Sequence, residues 1–358
     1  MKIKRLNLLL GLSFILINQV AAQTSHISVS DGGFENAGGF SGNGWTVVNH
    51  NVNQWVIGNS SAPAAGLNAA YISNNGIGYQ YTNSVSQTSH FYRDVTVPAS
   101  ESYINLSFKI KSAAEPFFDR LLVYTAPTTF TPVVGDPASS SPTLPGATLV
   151  FTDPANDAGY STYNILLSPS LAGSSFRLIF TWQNDASGTP NVPVSIDDIS
   201  LISSAGGPLS GTYTIDPQLP PSASIPAAGS NFNSFASAIE YLQTFGKTSQ
   251  VEFSVPAGSL HAEPLLTITA SGAVGDSIIF KKSGIGPNPI ITPAAGSSSA
   301  DAAIRLLGAD YVVFDGIDIV SDLTPPTSQA NVEYAFHIRN ASATDGASNC
   351  VIKNCTVT

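Results

Sequence analysis

The chain has 358 residues, a formal net charge of −10 and only 11% charged residues, with 43% hydrophobic. An acidic chain without a Lys/Arg cluster carries no electrostatic footprint for nucleic acid. Scarce charge, together with abundant Gly, Ser, Thr, Asn and Pro, favours an all-β protein.

The N-terminus, MKIKRLNLLLGLSFILINQVAAQ, reads as a secretory leader. Lys2, Lys4 and Arg5 form a basic start, residues 8–17 an apolar run, and Val20-Ala21-Ala22 a small-residue cleavage site. That run is well short of the ~20 residues a spanning helix needs, and no later stretch reaches that length. The expectation is export: residues 1–22 are removed, and the rest is secreted or held at the outer cell surface without a transmembrane segment. What remains suits two domains of ordinary size.

Residues 23–204 form a series of short alternating runs, among them QWVIG, AAYISN, FYRDVTV, YINLSFKIKS, RLLVYTA, SFRLIFTW and VSIDDISLIS. In YINLSFKIKS, Ile104, Leu106, Phe108 and Ile110 alternate with polar residues, the pattern of a half-buried antiparallel strand. Such spacing predicts two packed sheets, a sandwich or jelly roll. VSIDDISLIS raises a difficulty. Strict alternation puts Val194, Ile196 and Asp198 on one face and Asp197, Ile199 and Leu201 on the other. Either way one aspartate lies among aliphatic side chains, where an unpaired carboxylate is costly. A cation shared with the start of the same domain would neutralise it. The Pro/Ser-rich segment 125–148 is expected as an exposed excursion.

Residues 205–230 are dense in Gly, Pro and Ser without periodicity and read as a linker. In NFNSFASAIEYLQTFG, Phe235, Ile239 and Leu242 fall at i, i+4, i+7, with Asn233 or Ser234 as N-cap and Gly246 as stop. This is the one helix the pattern predicts. Strand-like runs follow from residue 251 to the end. DSIIFK at Asp276, DYVVFD at Asp310 and NCVIKN at Asn349 line up, at spacings of roughly 34–39 residues, which fits a parallel β-solenoid. A helix just before the first coil is the expected cap. The chain stops at Thr358 without a visible closing cap, so more coils are expected beyond it. Cys350 and Cys355 read either as a disulfide or, preferably, as two thiols stacked in a coil.

The opening DGGFENAGGFSGNGWTVV resembles the start of carbohydrate-binding jelly-roll modules, whose last strand carries a pair like Asp197-Asp198. SFKIKSAAEPFFDRLLVYTA followed by VSIDDISL is similar to the MAM-like "cleaved adhesin" domains of exported bacterial surface proteins. That resemblance implies a structural Ca²⁺ held by Glu35 and Asp198, with Asp31 and Asp197 as further candidates; the ion takes six to eight oxygens. SFASAIEYLQTFG and VEFSVPAGSLHAEPLLTI resemble the capping helix and first coil of right-handed parallel β-helices of the pectate-lyase-like superfamily. The expected fold is therefore all-β, a sandwich over 23–204 and the capped start of a right-handed parallel β-helix over 231–358. Fold alone does not carry function.

Trp45, Trp55, Tyr71, Tyr79, Tyr81 and Tyr92 supply rings suited to stacking on sugars. Trp55, Tyr79 and Tyr81, in Gly/Asn-rich surroundings, are the candidates to face a ligand. Asp119-Arg120 reads as a local ion pair or a loop anchor. Asp315, Asp318, Asp322, Arg339 and Lys353 would line a groove, but nothing in the sequence makes them converge, and no catalytic residue is assigned. The five histidines, at 26, 50, 90, 261 and 337, lack zinc-type spacing. The sequence therefore reads as a surface adhesin or glycan-binding protein whose partner is a polysaccharide or a cell-surface glycoprotein. The alternative is a secreted polysaccharide lyase, esterase or hydrolase with the β-helix catalytic.

Overall fold

The computed structural model describes residues 23–115, 118–135, 144–153, 157–188, 192–219, 222, 225–296, 301–321 and 332–358. The expected leader, residues 1–22, and Asp322 lie outside them.

The N-terminal half begins with β1 (Thr24–Ser25), α1 (Val29–Gly32), α2 (Gly39–Gly42), β2 (Thr46–Val48), β3 (Gln54–Gly58) and β4 (Ala69–Ser73). Long strands follow: β5 (Gln87–Thr96), β6 (Tyr103–Ala113), β7 (Arg120–Pro127), β8 (Thr148–Thr152), β9 (Asp157–Leu167), β10 (Ser175–Asn184) and β11 (Val192–Ser204). They make two antiparallel sheets, one ordered β3-β4-β11-β6-β9 with β1 on β11, the other β2-β5-β10-β7-β8. The sheets share one core. Ile104, Leu106, Phe108 and Ile110 of β6 enter it, as the alternation predicts, and Phe91 stacks on Phe180 at 4.9 Å with Trp45 and Trp55 edge-on to Phe91. The two short helices lie in a glycine-rich stretch where the sequence pattern predicts none.

β11 resolves the difficulty of VSIDDISLIS by breaking its own alternation. Asp197 pairs with Lys109 but Ser200 pairs with Ser107, so β11 carries one extra residue, a β-bulge. Asp198 takes it up with φ of +52°, a conformation that aspartate adopts more readily than most residues. The phase flips there. Val194 and Ile196 before the bulge, and Ile199 and Leu201 after it, all enter the same core, and neither aspartate does.

The segment between β7 and β8 is not the free excursion its composition suggests. Phe130, Leu144 and Ala147 pack on the outer face of the second sheet, against Leu122, Tyr124, Ala126 and Ile179. Arg177 donates to the Phe130 carbonyl (2.5 Å), His90 to the Val133 carbonyl (3.3 Å), and the Thr88 N–H to the Gly135 carbonyl (2.8 Å). The middle of that segment, 136–143, lies outside the described residues.

Residues 205–230, expected as a linker, supply β12 (Leu209–Ile215) and buried Leu209, Tyr213 and Ile225. Then come β13 (Asn231–Phe232), α3 (Phe235–Phe245), β14 (Lys247–Pro256), β15 (Leu260–Glu263), β16 (Leu266–Ile268), β17 (Ile278–Ser283) and β18 (Ile290–Pro293). The rest are β19 (Ala302–Leu307), β20 (Val312–Asp315), β21 (Asp318–Ile319), β22 (Tyr334–Arg339) and β23 (Val351–Lys353). All pairings among them are parallel, in three sheets: β13-β12-β14-β17-β20-β23, β15-β18-β21 and β16-β19-β22. From β14 on, the chain visits the three sheets in rotation. Phe253, Phe280 and Phe314 occupy equivalent places and stack at 4.9 and 4.8 Å.

The α3 boundaries are those predicted: the Ser234 hydroxyl accepts the Ser237 N–H, and Gly246 closes the helix with φ of +71°. The repeat alignment holds between Asp276 and Asp310, since Ile278 pairs with Val312. It is one residue out at Asn349, because Val351 pairs with Val313. Cys350 and Cys355 are free thiols whose Sγ atoms donate to the Ala309 and Lys353 carbonyls.

Candidate functional site

The four carboxylates expected to share a cation are divided by the structure. Asp197 is buried, and among the described residues backbone amides satisfy it: Oδ2 accepts the N–H of Ala64 (2.9 Å) and Ala65 (3.1 Å), and Oδ1 that of Asp198 (2.8 Å). Burial pushes its carboxyl up to about 6 while these three bonds pull the other way. Asp31 is held by the Arg93 guanidinium (2.9 Å) and the Asn36 amide (2.8 Å), and it lines no pocket with the others.

Glu35 and Asp198 do come together. They line a pocket of about 480 Å³ with Val29, Gly33 and Gly66. Glu35 Oε1 accepts the Leu67 and Asn68 N–H groups at 2.8 and 3.0 Å, and a Cβ at Gly66 would lie 2.2 Å from that oxygen. Only glycine lets the loop close over the carboxylate at this point. Asp198 Oδ2 meets the Lys109 ammonium at 2.9 Å. Glu35 Oε2 and Asp198 Oδ1 accept no hydrogen bond from the described residues. Among those residues no set of three or more His, Cys, Asp or Glu side chains converges as a metal site. The donor set thus fits a hard, oxygen-seeking cation only with carbonyl and water oxygens completing the shell.

The three aromatic candidates also part company. Trp55 is 1% exposed, with its Nε1–H donated to the Ser89 carbonyl, and Tyr81 is 4% exposed, with its hydroxyl 2.5 Å from Asp119. Both rings are core, because a large apolar body with one satisfied polar tip is stabilised by burial. Tyr79 is half-buried. Its hydroxyl donates to the Pro193 carbonyl (2.6 Å), its ring meets Tyr71 edge-on at 5.8 Å, and Lys111 Nζ lies 5.4 Å from the ring centre. The same ammonium is 4.8 Å from the half-buried Tyr160 ring, whose hydroxyl is 2.7 Å from Ser195 Oγ. The sequence reasoning missed Lys111 and Tyr160. The signal was present in FKIKS, whose lysines occupy the outward positions of a strand with an apolar inner face.

Asp119 is a loop anchor, as one reading of the sequence had it: it accepts the Tyr81 hydroxyl and the Asp185 N–H (3.0 Å). The carboxylates of the parallel sheets are held by neighbouring turns. Asp315 takes the Asn354 amide (2.7 Å) and Lys353 (3.3 Å), while Asp318 takes the Asn288 amide (2.7 Å) and the Thr356 N–H (2.8 Å). Of the described members of the expected groove, Asp315 and Lys353 thus meet, whereas Arg339 is on another sheet, on β22. Among the described residues no helix is long and apolar enough to cross a membrane.

No protein-family model and no curated protein matches the chain. In structure it is similar to TmCBM61 in complex with β-1,4-galactotriose, at 15% identity and a TM-score of 0.31, over 50% of this chain and 98% of that one. It is similar to a cyclase from Fischerella sp. TAU, at 14% identity and a TM-score of 0.33, over 51% of this chain and 98% of that one. It is also similar to the K1 cleaved adhesin domain of Lys-gingipain from Porphyromonas gingivalis W83, at 14% identity and a TM-score of 0.27, over 51% and 96%. Each likeness spans about half of this chain.

Proposed function

We propose that this is an exported surface protein that binds glycan, a polysaccharide or the sugar of a cell-surface glycoprotein. A jelly-roll sandwich, residues 23–204, takes the ligand, and the three parallel sheets are the faces of the capped start of a right-handed β-helix that carries it. The observation behind this reading is the contrast between the two outer faces of the sandwich. The second sheet is covered by its own segment, stapled through Phe130, Val133 and Gly135. The first leaves Tyr79 and Tyr160 half-exposed around the Lys111 ammonium. Rings with an apolar face, beside a cationic donor, suit the alternating CH and hydroxyl surface of a sugar.

Glu35 and Asp198 hold a structural Ca²⁺ in this reading, completed by carbonyls and water. The ion would join the residues after α1 to the last strand of the sandwich.

Affinity electrophoresis of residues 23–358 through gels cast with plant, algal and bacterial polysaccharides tests the binding. Retardation in one gel, with the polymer intact and the effect lost in Tyr79→Ala, is the expected result. A cleared track makes the protein an enzyme, and unaltered mobility in every gel removes the glycan reading.

A further inference from the structure

The helix α3 carries two apolar stripes. Phe235, Ile239 and Leu242 form one, and Ala238, Tyr241 and Phe245 form the second, offset by roughly a quarter turn at 100° per residue. A helix lying on the end of one set of sheets needs only one of them. The first stripe faces the parallel sheets, where Phe235 stacks on Phe280 at 5.8 Å. The second meets the sandwich through Tyr241.

Tyr241 links the two halves. Its ring lies 5.3 Å from Tyr103, the first residue of β6, and 5.6 Å from Phe232 of β13. Its hydroxyl accepts the Gly207 N–H and donates to the Gly207 carbonyl, both at 3.2 Å. Phe245 packs on Tyr241 at 4.6 Å and crosses the chain at Gly206, where a Cβ would stand 2.4 Å from its ring. Tyr103 is 6% exposed and belongs to the core of the parallel sheets, not to that of the sandwich; Leu166 of β9 packs beside it. Both come from the outer face of the first sheet, where Tyr103 alternates with the core residue Ile104 and Leu166 pairs with Asn105.

We infer that the sandwich is the second layer of the cap on the parallel sheets: α3 closes the sheets, and the β6/β9 end of the sandwich closes α3. The two halves therefore unfold together and hold a fixed mutual orientation. Tyr103 and Lys111 lie on the same outer face, eight residues apart along β6, about 26 Å at the usual rise per strand residue. The capped end and the Tyr79–Lys111–Tyr160 surface thus sit at opposite ends of one rigid strand.

The three tryptophans, Trp45, Trp55 and Trp182, all lie in the sandwich, so their fluorescence reads that half alone. Amide hydrogen exchange over residues 251–255, in β14, reads the other. In the full chain, urea unfolding followed by the two probes is expected to give coincident midpoints. Tyr103→Ala, on β6, is expected to speed exchange of the β14 amides at least tenfold. Phe245→Ala, on α3, is expected to lower the urea midpoint of the tryptophan signal. Separate midpoints in the parent, or unchanged β14 exchange in Tyr103→Ala, would overturn the inference. Should Tyr103→Ala not fold, Phe245→Ala decides alone: a tryptophan midpoint that does not move means the sandwich stands apart from the cap.

Discussion

Asp198 meets Lys109 across the bulge that its own backbone creates, with carboxylate and ammonium 2.9 Å apart. The pair is partly exposed, so its direct worth is small. Its position matters more, because Asp198 lines, with Glu35, the pocket that α1 and the Ala65-Gly66 loop enclose.

If Glu35 and Asp198 hold Ca²⁺, the ion at a hundred times its dissociation constant stabilises the fold by about 2.7 kcal/mol. Calorimetry with and without chelator is expected to show a Tm several degrees higher with calcium. Glu35→Gln should abolish the difference and Asp31→Asn preserve it. A calcium-dependent Tm that survives Glu35→Gln places the ion elsewhere.

Three N–H groups bond to the buried Asp197 carboxylate. Asp197→Ala strands the Ala64 and Ala65 amides and should cost about 1–3 kcal/mol in urea unfolding. Asp197→Asn keeps a carbonyl oxygen in place and should cost less. Equal losses in the two variants would show that the amides find other partners.

Glu263 and His261 predict a pH dependence that cancels. Glu263 is buried and accepts the Phe235 and Ala236 N–H groups at the start of α3; burial pushes its carboxyl up to about 7. Its contribution is fully present below the unfolded value of about 4.5 and lost as pH rises towards 7. Burial pushes His261 down to about 4, so its contribution is present above about 6.5 and lost as pH falls. Between about 4.5 and 6.5 the folded pair keeps its proton on Glu263 and the unfolded chain keeps one on His261, so their net effect is flat. Relative to the parent, His261→Phe should therefore lose stability as pH rises through this window, and Glu263→Gln as pH falls. Urea midpoints at three pH values check the signs; parallel curves for parent and variants would refute the scheme.

Phe280 is the middle ring of the Phe253–Phe280–Phe314 ladder and is fully buried. Phe280→Ala should cost about 3–5 kcal/mol, and Phe280→Leu distinctly less because more of the volume is kept. β14 hydrogen exchange reads both. A mild Phe280→Ala would mean that the neighbouring rings close the gap.

Many of the strands were legible because a half-buried strand must alternate, and YINLSFKIKS does. The bulge at Asp198 was not, since one extra residue turns two incompatible faces into one and leaves no mark on composition. The repeat alignment slipped at Asn349 for a related reason. Cys350 takes the inward place that a β-branched residue holds in the earlier strands, so the Val351-Ile352 pair misleads by one. Gly/Ser/Pro content hid β12, whose buried residues, Leu209, Tyr213 and Ile215, are few but large. Trp55 and Tyr81 looked available because their neighbours are polar, whereas burial is settled by contacts distant in sequence. The second stripe of α3 was readable at Ala238, Tyr241 and Phe245, and it is the one sign in the sequence that the helix has two neighbours.

The phenylalanine ladder also fixes how this part of the chain tolerates change. Phe280 and Phe314 are 34 residues apart, and Phe314 and its partner Ile352 are 38 apart, yet each pair is joined by the same parallel ladder. The net four additional residues fall between the paired strands and leave the ladder step unaltered. Place in the parallel sheet therefore counts strands, not residues, so insertions between the strands can vary freely while the paired strands stay aligned.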